Sequence, residues 1–355
     1  MHKQDTPLTH NKIPAPIWKT FGHDNAIKNL LSALNQNRFA HAYLITGAQN
    51  IGKTTLAVDM AASFNCGSIN RPCGQCLSCK RILKGTHLDT RIISLDNQFD
   101  DNKQNLNSIG ISQIKALQRE AALTPFEGKK RVYIIIDADK LSEEANNSLL
   151  KTLEEPPPTV IILLTTSKPG NIMETVQSRC QLIELKKVPI SIISNKIRKQ
   201  FDISKNKADQ ISNLVDGRPG LAIKMSDDQE AITELNDKLA AIGNIIKGNI
   251  NQKLQHAKQL SSITNSNRDE GRRELLIWSN WWRDVMYVKE GLNELVKNKD
   301  GIEVISDFAA KLTNVEILDS INTIRDTQEL IDKNVNSRLA LETMMINLPN
   351  FQTDK

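Results

Sequence analysis

Short β-branched apolar runs alternate with 3.6-residue periodicities through the first half of the chain, and only the helical period persists through the second. Ala42-Tyr-Leu-Ile-Thr46, Arg91-Ile-Ile-Ser-Leu95, Arg131–Ile136 and Thr159–Leu164 read as strands. The last two are almost wholly apolar, which suits strands covered on both faces of a parallel sheet. Thr54–Phe64, Ile111–Ala122 and Glu143–Glu154 read as helices, the last stopped by Pro156-Pro157-Pro158. A polar loop is expected from Asp96 to Ser108. After Lys187 strand signals almost vanish. Pro189 opens an amphipathic helical region broken by Asp216–Gly220, and from Asp228 to Leu348 the pattern is helical, with breaks near Gly248, Thr264–Asp269 and Asn298–Gly301. Three units are expected: an α/β unit at 1–187 built on a parallel sheet flanked by helices, a small helical unit at 188–227, and an all-helical unit at 228–355.

Composition narrows the class. The 355 residues are 39% hydrophobic and 25% charged, values that fit neither a membrane-spanning nor a disordered chain. No apolar run approaches the roughly 18 residues of a spanning helix. Met1–Pro16 lacks the apolar stretch of a secretory signal. The expectation is a cytoplasmic protein with no membrane partner. The net charge of 46 − 41 = +5 permits nucleic-acid contact without arguing for it.

Three groups of residues carry chemistry. Gly47-Ala-Gln-Asn-Ile-Gly52-Lys53-Thr54 fits the phosphate-loop pattern between a strand and a helix, the context that pattern requires. Backbone N–H groups there would cradle phosphates, Lys53 would reach the β- and γ-phosphates, and Thr54 would ligate magnesium. Asn50 stands where glycine is common, and asparagine tolerates left-handed dihedrals. The alternative is a loop retained as a fold element without ATP or ADP. Cys66, Cys73, Cys76 and Cys79 supply four thiolates, enough for a closed, structural zinc site. An iron–sulfur cluster and scattered free thiols are the other readings of that cluster. Asp137 and Asp139, after the strand ending at Ile136, either orient magnesium and water or are two solvated carboxylates. Trp278, Trp281 and Trp282 recur with Leu275 and Val285 at helical spacing, which suits a core or a subunit interface rather than base stacking.

His41-Ala-Tyr-Leu44, Thr124-Pro-Phe-Glu-Gly128, Asn147-Ser-Leu-Leu-Lys-Thr-Leu-Glu-Glu-Pro-Pro157 and Ser178-Arg-Cys180 follow one another in this order. With the cysteine cluster, they resemble the AAA+ clamp-loader subunits of bacterial DNA polymerase III, closely over 18–187 and in outline beyond. The segment Thr124–Gly128, the turn Ser167-Lys-Pro169 and Trp282-Arg-Asp284 resemble the delta-prime branch more than the gamma/tau motor branch. The resemblance implies an AAA+ P-loop domain with a zinc module, a helical lid and an all-α collar that holds subunits together. It also implies that gamma/tau and delta subunits join this chain in a hetero-pentamer that loads a sliding clamp onto primer-template DNA. The chain would then be a nucleotidyltransferase component by association. Arg179 would be an arginine finger reaching a neighbour's ATP site, and Thr165 or Thr166 would be the sensor of the γ-phosphate.

Departures from the motor pattern carry implications too. Ile136 stands where the magnesium aspartate belongs, Asp137 replaces the catalytic glutamate, and Gly220 replaces the sensor arginine, with Arg218 two residues away. The first cysteine gap is about two residues short of the family's. The resemblance therefore implies a stator with weak or no hydrolysis of its own. The alternatives are a gamma/tau-like motor that hydrolyses ATP and, further off, a stand-alone ATPase.

Overall fold

Five parallel strands form one sheet in the order β2-β3-β4-β1-β5. The computed structural model describes residues 17–95, 108–227, 229–333 and 335–350, so nearly all of the expected polar loop and the Met1–Pro16 segment lie outside the described residues. The strands are β1 Ala42–Gly47, β2 Thr90–Ile93, β3 Arg131–Ile135, β4 Val160–Thr166 and β5 Gln181–Leu185. Around them lie α1 Asp24–Asn35, α2 Lys53–Asn65, α3 Leu77–Lys84, α4 Ile111–Ala121, α5 Glu143–Glu154 and the short α6 Glu174–Gln177. The expected parallel sheet flanked by helices is present.

The two-residue period of the strands divides the core. Tyr43 and Ile45 face one side with Leu56, Met60, Ile134 and Leu163. Leu44 faces the other with Leu117, Leu149, Tyr133 and Ile162. Every residue of β3 and β4 is buried, as their apolar runs predict. The edge strand β5, Gln-Leu-Ile-Glu-Leu, escaped the sequence reading because only Leu185 is fully buried. α1 was also unread, although Ile27, Leu30 and Leu34 offer a helical spacing. Ser142 starts α5 by accepting the Ala145 N–H, a side-chain cap for an otherwise orphaned donor.

Beyond β5 the described residues are helical: α7 Ile190–Phe201, α8 Lys205–Leu214, α9 Pro219–Asp227, α10 Gln229–Lys247, α11 Ile250–Ser266, α12 Arg268–Lys289, α13 Ile302–Lys311, α14 Asn314–Asp332 and α15 Ser337–Asn347. The chain divides into two compact units. One reaches to Ile193 and includes Gly217–Leu221; the other comprises Ser194–Asp216 and the residues from Ala222 on. In the second unit all three clustered tryptophans are buried, and Trp281 meets Phe308 edge-on at 4.9 Å. They are core residues of the helical unit, not a stacking platform.

Candidate functional site

The phosphate loop follows β1 and runs into α2, and its backbone takes the conformations its residues allow. Gly47 has φ 144° and Gly52 φ 110°, while Asn50 adopts the left-handed φ of 60°. A Cβ at Gly47 would lie 2.6 Å from the Leu185 carbonyl, so the close approach of β5 demands glycine. Lys53 is buried and donates through Nζ to the Gly47 and Ala48 carbonyls, both at 2.9 Å. Burial pushes its pKa below the usual lysine value, while Asp137 and Asp139 pull the other way.

Two further bonds tie the loop from outside. His23 Nε2 donates to Ile51 O at 3.0 Å; burial lowers the pKa of this imidazole. The Gly220 N–H donates to Asn50 O at 2.8 Å, and a Cβ at Gly220 would stand 2.8 Å from that oxygen. Glycine at position 220 thus matches a direct backbone contact with the loop.

Strand order decides what surrounds the loop. β4 lies between β1 and β3, with Ile45 level with Thr165 and Thr46 level with Thr166. Both threonines are buried, between the phosphate loop and Asp137. Thr166 donates its hydroxyl to Asp139 Oδ1 at 2.6 Å and accepts the Lys168 N–H. Thr165 Oγ1 accepts the Asp137 N–H at 3.3 Å. Asp137 takes a left-handed φ of 51° just past β3 and pairs with Lys140 at 3.6 Å. Thr54, on the first turn of α2, is half-buried.

Arg179 lies at the N-terminal end of the strands, the end opposite the phosphate loop. Gln181 is level with Tyr43 and Leu185 with Gly47. Four residue steps, about 13 Å at 3.3 Å each, therefore separate Gln181 from the level of the phosphate loop. Arg179 precedes Gln181 by two residues, so it cannot serve the chain's own loop. Its guanidinium is paired with Glu154 of α5 at 2.8 Å.

The four cysteine sulfurs lie within 4.8 Å of one another. Cys66 follows α2, Cys76 caps α3, and Cys79 lies in its first turn. Zinc–sulfur bonds of about 2.3 Å would bring the sulfurs roughly 3.8 Å apart, so the donor set fits a tetrahedral metal after a contraction of at most about 1 Å. Backbone N–H groups of Ser68, Cys76 and Cys79 donate to Cys66, Cys73 and Cys76 sulfurs at 3.4 Å, as thiolate ligands require. Burial pushes the Cys73 thiol up, but donors from Cys76 and Gln75 outweigh it and bring its pKa to about 6. Burial raises Cys66 and Cys79.

Asp89 was missed by sequence reasoning. Its buried carboxylate accepts the N–H groups of Phe126, Glu127 and Gly128 and pairs with Arg131 at 2.9 Å. The segment Thr124–Gly128 is thus a loop folded around one carboxylate. No local periodicity marks such a residue, because its partners lie 37 to 42 positions away.

Residues 22–189 match the family described as DNA polymerase III, delta subunit, and residues 226–349 match DNA polymerase III, delta subunit, C terminal. The chain is 28% identical over 338 residues to DNA polymerase III subunit delta' of Bacillus subtilis, covering 93% of this chain and 98% of that protein. It is also 28% identical over 334 residues to subunit tau of that organism, covering 87% of this chain and 57% of tau, so it spans little more than half of that relative. A gamma subunit-related protein of Thermotoga maritima superposes with a TM-score of 0.45 at 16% identity, covering 89% of this chain and 97% of that one. No described helix is long and apolar enough to cross a membrane.

Proposed function

The chain belongs to the DNA polymerase III delta-subunit family, and from that membership we propose that it is the delta-prime stator of a clamp loader. In this reading it joins gamma/tau and delta subunits in a hetero-pentamer in the cytoplasm and helps place a sliding clamp on primer-template DNA. The carrying observation is that the two delta-subunit family models match residues 22–189 and 226–349, alongside a delta' relative that matches over 93% of this chain. The division into AAA+ domain (1–187), lid (188–227) and collar (228–355) belongs to the same proposal.

Arg179 would act in trans. Its distance from the chain's own phosphate loop and its place at the opposite end of the strands support that role. A guanidinium there would stabilise charge developing on a phosphoryl group bound to a neighbouring gamma/tau subunit.

The chain's own loop fits a nucleotide. Backbone N–H groups from Gly47 through Lys53, with Asn50 and Gly52 shaping the turn, would hold ATP or ADP phosphates, and Thr54 would hold Mg2+. Lys53 would exchange the two loop carbonyls for phosphate oxygens. Thr165 is the better sensor, because Thr166 commits its hydroxyl proton to Asp139. Ile136 supplies no metal ligand, Asp137 would be a short and displaced acid, and Gly220 offers no charge. Hydrolysis by this chain would therefore be weak or absent. Cys66, Cys73, Cys76 and Cys79 would hold a structural Zn2+ with no open position for chemistry.

DNA- and clamp-stimulated ATPase of the reconstituted loader tests this reading. With Lys53→Ala in this chain alone, the rate should stay within about twofold of wild type. A large loss with assembly intact would favour a motor subunit, and Asp137 would then be its acid.

A further inference from the structure

Three segments distant in sequence meet at the N-terminal end of the strands, opposite the phosphate loop. His41, just before β1, donates through Nε2 to Leu153 O at 3.2 Å and so pins the end of α5. Glu154 closes that helix, and its Oε1 accepts from Arg179 NH2 at 2.8 Å. NH1 of the same guanidinium donates to Thr175 O at 2.9 Å and to Ser178 Oγ at 3.3 Å. Both arms of the fork are therefore held, while the side chain stays 36% exposed.

The position of Glu154 is poorly explained by stability. A helix C-terminus carries partial negative charge, so a carboxylate there is disfavoured by the macrodipole. An ion pair this exposed adds little to folding. Ordering a long arginine matters more to a reaction, because a side chain that must be immobilised in the transition state loses part of its effect.

We infer that Glu154 is a positioning residue for Arg179, setting the guanidinium in an outward orientation before a neighbouring subunit presents its phosphates. This rests on the reading of Arg179 as a finger in trans. Being an exposed pair, the contact yields readily to a phosphate, which carries more charge than a carboxylate and accepts the same N–H groups.

The test uses full-length subunits reconstituted into loaders in which the nucleotide site beside Arg179 is the one intact site. Glu154→Ala, Glu154→Gln, Arg179→Ala and the double alanine variant are compared for DNA- and clamp-stimulated kcat and KM for ATP. Arg179→Ala should lower kcat by at least roughly tenfold. Glu154→Ala should lower it about threefold to tenfold with KM within about twofold. Glu154→Gln should recover most of that loss, since its amide oxygen accepts the same N–H. The double variant should be no slower than Arg179→Ala alone. A slow Arg179→Ala beside a Glu154→Ala at the wild-type rate would overturn the positioning role, as would losses that multiply in the double variant. An Arg179→Ala loader at the wild-type rate would overturn the finger reading itself.

Discussion

Asp89 shows how much one side chain organises. Burial alone would raise its pKa, but three backbone N–H donors and Arg131 outweigh that and hold it at about 2. An unfolded aspartate titrates near 3.9. Because the folded value is depressed, the stability it contributes is fully present above about pH 5 and fades as pH falls toward 2. The shift corresponds to about 2–3 kcal/mol, so the unfolding free energy from urea titrations should fall across that window by about this much more in the wild type than in Asp89→Asn. At pH 7, Asp89→Ala should cost about 3–5 kcal/mol, because Arg131 would be left buried without its carboxylate. The phosphate-loop residues and the four cysteines were legible one by one, since their chemistry depends on local spacing. Asp89, and Glu154 as Arg179's partner, were not, since their partners come from other elements.

Among the elements, legibility followed burial. β3 and β4 are covered on both faces and read directly from apolar runs, whereas edge strand β5 shows an exposed, polar sequence. Its omission mattered, because β5 fixes the level at which Arg179 sits. The segment from the end of α2 to α3 is organised by four sulfurs rather than by an apolar core of its own. Purified protein should hold about one zinc per chain by metal analysis, and Cys79→Ser should lose it. Chelation should lower the thermal midpoint of the wild type and leave that variant unmoved. Full zinc retention by Cys79→Ser would remove this cysteine from the ligand set.

For the whole molecule, the helical unit behind Ala222 depends on a core that buries Trp278, Trp281 and Trp282, the last two edge-on to Phe308. Trp281→Ala should destabilise that unit by about 3–5 kcal/mol in urea titrations, the cost of an aromatic-sized cavity. If this unit is the collar, the same variant should co-purify less with gamma/tau and delta subunits. Undiminished assembly with the expected loss of stability would place the subunit contacts elsewhere.

Sequence by itself determined the α/β-then-helical order, the phosphate loop, the four thiols and the family, because period, spacing and motif are properties of neighbouring residues. Tertiary structure alone decided that Thr165 and Thr166 stand between the loop and Asp137, that Gly220 meets Asn50, and that Arg179 lies at the far end of the strands held by Glu154. The reason is strand order: parallel strands joined by crossovers bring together residues more than a hundred positions apart, and no local pattern encodes which strand lies beside which.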